Sequence, residues 1–255
     1  STPINGLNFY SFNSSVKGFV SFKGSFLGGK LCNIKNKLIP EILVEMLDKG
    51  TKNKDKFKIA SILENVGAKI SFTQGKYRVY FTGQCLTKDI LLIFDLIAEQ
   101  LIQPLVNEKD LQSVKKRNIA ELLNLKSDTR SQGMINFLQK LYPKNHPNRP
   151  FGIDEEIKQI EKIKTEDLIM FHNQFYGLGN MEICMVGDLD HNEVDKNLSK
   201  VFKSWKISPL NKEMMVSNLK SKDLSGKSSV VYIPDKSSAD LILGHGIGID
   251  NNHKD

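Results

Sequence analysis

The sequence predicts an α+β protein in which strands and helices occupy separate layers. Two observations carry this. Val16–Leu27 and the pair of runs between Ala68 and Cys85 alternate in period two, while Ile39–Thr51, Thr87–Ile102 and the stretch after Asn107 repeat apolar residues at three- and four-residue steps. A third observation is composition: 40% hydrophobic and 25% charged residues describe a globular chain, not a disordered one.

Asn5-Gly6 and the following LNFYSF read as a short strand. In Val16–Leu27 the residues Val16, Gly18, Val20, Phe22, Gly24 and Phe26 alternate, a half-buried strand stopped by Gly28-Gly29. Ile39, Ile42, Leu43, Met46 and Leu47 fall on one face of a helix that Pro40 suits at its first turn and Gly50 can stop. A second helix runs from about Asp55 to Val66 and breaks at Gly67. Strands Ala68–Thr73 and Tyr77–Cys85 are joined by a tight turn at Gln74-Gly75-Lys76.

Thr87–Ile102 is a long apolar helix ended by Pro104; Asn107 caps a charged one, and Ser127–Leu141 is another. Tyr142–Ile153, rich in Pro and Asn, is a loop. Helices then start at Asp154 and at Thr165, the latter read as N-cap with Glu166 and Asp167 favourable near the dipole's positive end. Asn180–Val186 is a buried strand, and Asn192–Phe202 a last helix before Trp205.

From Lys206 to Lys227 periodicity disappears, which reads as a linker between a domain over 1–205 and strands Ser229–Ile233 and Leu241–Ile249. So short a stretch buries no core of its own, so 228–255 is expected to be the truncated start of a second domain. The net charge of +7 is spread over loop-like stretches such as Lys49–Lys58 and reads as a solvated surface; no basic stripe with exposed aromatics, and hence no nucleic-acid partner, is expected. No apolar run is long enough for a transmembrane segment, and the opening STPINGLNF carries no signal sequence, so the compartment stays open between cytoplasm, periplasm and organelle lumen. Cys32, Cys85 and Cys184 have no metal-ligand spacing and are expected to be small buried hydrophobes. His146, His172, His191, His245 and His253 are scattered, and none stands at a spacing that suggests a nucleophilic triad.

MLDKGT (Met46–Thr51) resembles the segment that closes the zinc helix of the M16 metallopeptidases, the insulinase and processing-peptidase family, where an inverted HxxEH precedes ML-x-KGT. On that frame the chemical positions are Glu41, Val44 and Glu45, so HxxEH stands as ExxVE. The resemblance continues through ILENVGAKISF (62–72), IQPLVNEKDLQSVKKRNIAEL (102–122) and the stretch from Tyr142 to Asp190, in order and spacing, covering about Asn5 to Trp205. It implies an M16 (LuxS/processing-peptidase-like) fold: a mostly antiparallel sheet backed by helices on one side, with a similar second domain begun at 228.

An active M16 site needs two imidazoles at i and i+4, a distant glutamate, and a carboxylate between the imidazoles to take a proton from zinc-bound water. Val44 has no lone pair; Glu41 and Glu45 are hard oxygen donors. The position matching the distant glutamate is Glu121, whose other reading is a helix-surface carboxylate paired with Arg117 one turn back. The resemblance therefore implies a catalytically inactive half, without a cofactor of its own, that pairs with a zinc-bearing active M16 half or subunit to enclose an extended peptide substrate. The alternatives are a free-standing peptide- or protein-binding scaffold, and a metallopeptidase with a substituted carboxylate site at Glu41, Glu45 and Glu121.

Overall fold

The structure, a computed structural model, describes residues 5–33, 36–144, 146–210, 221–222 and 226–246. They fall into two units, Ser1–Val114 with Ile163–Met215 and Lys115–Lys162 with Val216–Asp255. Among the described residues the strands are β1 (Leu7–Asn13), β2 (Phe19–Leu27), β3 (Lys69–Gln74), β4 (Arg78–Leu86) and β5 (Met181–Gly187). The α-helices are α1 (Leu38–Met46), α2 (Lys56–Asn65), α3 (Ile90–Ile102), α4 (Glu108–Leu125), α5 (Thr129–Leu141), α6 (Ile153–Lys162), α7 (Thr165–Phe175) and α8 (His191–Phe202).

The first unit is built on one sheet, in the order β1-β5-β2-β4-β3. β1 runs parallel to β5 and every other pairing is antiparallel. The period-two pattern puts Val20, Phe22, Gly24 and Phe26 on one face, opposite Cys85, Gly83, Phe81 and Val79 of β4. Met181, Ile183 and Met185 of β5 continue that buried face. Helices and the residues just past them cover it: Phe94 of α3 meets Phe22 edge-on at 5.0 Å, and Tyr176 after α7 and Trp205 after α8 meet Phe26 at 4.9 and 5.4 Å. On the other face Tyr10, Phe12, Ser21, Lys23 and Val186 are exposed. The expected α+β layering, helices on one side of a mainly antiparallel sheet, is what the chain forms.

Two glycines make that face possible. A Cβ at Gly24 would fall inside the Phe81 ring, and one at Gly83 would strike Phe22 and the Lys69 carbonyl. Each aromatic ring thus lies over the glycine opposite it on the neighbouring strand, and the two rings fill what would otherwise be thin spots in the core. On the far face Arg78 ties three segments: Nε donates to Ser25 Oγ (2.8 Å), and Nη2 donates to the carbonyls of Ser25 (3.0 Å) and Asn180 (2.6 Å) and approaches Glu182 (3.3 Å).

Local signals shift by a residue or a turn from their expected places. β2 begins at Phe19, because Gly18 sits at φ +72 and gives its N–H to Asp188 Oδ2 instead of to a ladder. Thr87–Asp89 is a 3-10 turn ahead of α3. Thr165 is the first residue of α7 and not its cap; the N-cap is Lys164, whose N–H donates to Asp167 Oδ2 at 2.9 Å. The aspartate at the third position therefore takes the capping task expected of the threonine. Asp55, Asp128 and Asp190 cap α2, α5 and α8.

His172 lies buried on α7, its Nε2 bonded to the Leu101 carbonyl at 2.7 Å. Burial outweighs that bond and, with Lys206 and Lys52 nearby, holds the imidazole below its ordinary pKa. A depressed histidine contributes stability above the unfolded-state value near ~6.5, lost as pH falls through the folded one. Stability to urea is thus expected to fall as pH drops below ~6.5, with a shallower slope in His172→Gln. Equal slopes in both proteins would assign the pH dependence elsewhere.

In the second unit the loop after α5 is pinned by His146, which stacks on Tyr142 at 4.2 Å and accepts the Asn148 N–H at Nδ1 (3.0 Å). Arg149 Nη1 donates to the Tyr142 carbonyl at 2.7 Å. Residues 226–246 form no strand, contrary to the expectation for Ser229–Ile233 and for the described part of Leu241–Ile249; residues 247–249 lie outside the described residues. The chain there has no ladder partner among the described residues. Alternate residues Asp240, Ile242, Gly244 and Gly246 lie along α5: Asp240 accepts from Thr129, Ile242 sits 3.1 Å from where a Gly133 Cβ would be, and Gly244 and Gly246 pack by Phe137 and Leu141.

Candidate functional site

Glu41, Val44 and Glu45, expected at the chemical positions, sit on α1, and the LDKGT segment closes the helix. Asn36 Oδ1 accepts the Leu38 N–H at 3.1 Å and starts the helix. At the other end Leu47 N–H returns to the Val44 carbonyl (3.2 Å), while Gln100 Nε2 donates to the Leu47 carbonyl (3.0 Å). The helix therefore closes before Gly50, which at φ +138 serves the turn beyond.

Thr51 is buried and works as a knot. Its Oγ1 donates to Glu99 Oε1 (2.6 Å) and accepts the N–H groups of Lys54 (3.0 Å) and Asn53 (3.3 Å). Lys54 Nζ pairs with the other Glu99 oxygen. Partial burial alone would raise the Glu99 pKa, but bonds from Lys54, Thr51 and Asn53 outweigh it and hold the carboxylate below its usual range. The sequence signal in KGT is thus structural: it fastens the C-terminal end of α1 to α3.

On α1 itself, Leu38, Pro40, Ile42, Leu43, Val44 and Met46 are buried, and Glu41 and Glu45 are half-buried one turn apart. The position between the two carboxylates has joined the packed face, since Val44 is 4% exposed. α1 packs against β3, an edge strand of the sheet, and against α7. Glu121 lies on α4 in the second unit, whereas Glu41 and Glu45 belong to the first. Its Oε1 stands 3.7 Å from Arg117 Nε, an i,i+4 pair with both side chains largely exposed. That is the helix-surface pairing given above as the second reading. Among the described residues no three His, Cys, Asp or Glu side chains stand together as a metal site would need.

The histidines are placed by packing. His172 and His146 are buried as described, and His245 is exposed; His253 lies outside the described residues. His191 opens α8, stacks on Phe9 at 4.9 Å and stands 2.6 Å from Ser11 Oγ through Nδ1. No spacing could have announced that pair, because the partners are on the two ends of the unit. Burial pushes the Cys32 thiol up to about 12 and the Cys85 thiol to about 11, so both stay protonated; Cys85 is buried, Cys32 and Cys184 half-buried. No helix among the described residues is long and apolar enough to cross a membrane.

Two family profiles match the chain, insulinase (peptidase family M16) over residues 39–149 and the peptidase M16 inactive domain over 162–255. The mitochondrial-processing peptidase subunit beta of Caenorhabditis elegans is 22% identical over 175 residues, 69% of this chain and 38% of that protein. The non-peptidase homolog YmxG of Helicobacter pylori is 25% identical over 198 residues, 76% of this chain and 44% of that protein. A peptidase M16 inactive domain from Pseudomonas fluorescens has the same fold, with a TM-score of 0.71 at 20% identity over 80% of this chain and 50% of that one. The chain spans half or less of the length of these relatives.

Proposed function

We propose that this chain, which belongs to the M16 peptidase family, is a catalytically silent half that pairs with an active M16 half or subunit and helps enclose an extended peptide. The observation that carries this reading is α1. A zinc peptidase needs two imidazoles and a proton acceptor there; this helix offers two carboxylates and a packed valine. Glu41 and Glu45 do not fit tetrahedral zinc with nitrogen donors, and nothing at position 44 can take a proton from water. The similarity to a non-peptidase homolog and to a subunit of a processing peptidase agrees with that reading.

What the half contributes is surface. β3 ends the sheet beside α1, and its outer row of N–H and C=O groups is free of any strand among the described residues. An extended peptide can add there as a further strand, its alternate side chains facing α1 and the open side. Zinc would then reside in the active partner, not in this chain.

The test is mixing. The purified chain alone is expected to leave peptide substrates intact, with or without added zinc, and to hold no stoichiometric metal. Gel filtration with a candidate active M16 partner should give a complex that cleaves peptide faster than the partner alone, and amides of residues 69–74 should gain protection from hydrogen exchange when peptide is added. Absence of a complex and of any rate gain would favour the free-standing scaffold. Chelator-sensitive cleavage by the chain alone, or a bound divalent cation lost in Glu41→Gln, would overturn the silent-half reading.

A further inference from the structure

We draw no further inference here: the strongest candidate, the half-buried Glu41–Glu45 pair on α1 beside the β3 edge, belongs to the site already described, and no second feature among the described residues points to a ligand there.

Discussion

Gly24→Val is expected to cost about 3 kcal/mol or more, because the new side chain would occupy the volume of the Phe81 ring. Phe81 cannot move aside. It is fully buried and packs against Phe94 of α3 at 6.4 Å. For a chain of this size the loss corresponds to a fall of roughly 6–12 °C in Tm. The same reasoning applies to Gly83→Val, where the obstacle includes the backbone carbonyl of Lys69 and relaxation is harder still. A double-mutant cycle identifies the mechanism: Gly24→Ala combined with Phe81→Leu should be less unstable than the sum of the two singles. Additive penalties would mean that ring-over-glycine packing is not the cause.

Arg78→Met is expected to destabilise by about 2–3 kcal/mol. The guanidinium is 14% exposed as a side chain and serves Ser25 Oγ and the carbonyls of Ser25 and Asn180 in one fork. Removing it leaves acceptors on β2 and ahead of β5 without their donor. Arg78→Lys should recover little of the loss, because an ammonium cannot reproduce the planar geometry. Glu182→Gln should fall within a few tenths of a kcal/mol, since that carboxylate is 47% exposed and its charge is screened. Chemical denaturation of the three variants orders them; a Glu182→Gln effect as large as that of Arg78→Met would show that the ion pair matters more than the carbonyl bonds.

How far residues announce structure varied along this chain in a physically sensible way. Where local periodicity and burial agree, as in α1 or β2, apolar spacing was enough to place the element and its inner face. Capping was legible to within a residue: Asn107 does what its side chain suggests, but at α7 the carboxylate of Asp167 reaches back and displaces Thr165 from the cap. The parallel pairing of β1 with β5 joins residues almost a whole unit apart, and no short-range signal encodes it. The seats for Phe22 and Phe81 were visible only as glycines in a strand. Ser229–Ile233 and Leu241–Gly246 have strand composition without strand pairing, which composition alone cannot supply. At the candidate site the identities Glu41, Val44 and Glu45 were readable, whereas the burial of Val44 and the engagement of Glu121 with Arg117 depended on three-dimensional neighbours.

The burial of Val44 has an energetic corollary. At a position only 4% exposed, a glutamate would lose most of its hydration, at a cost of several kcal/mol. A Val44→Glu chain would therefore be unstable unless neighbouring side chains changed with it. A proton acceptor at that position would need room made among its neighbours as well, so burial there limits the chemistry α1 can carry.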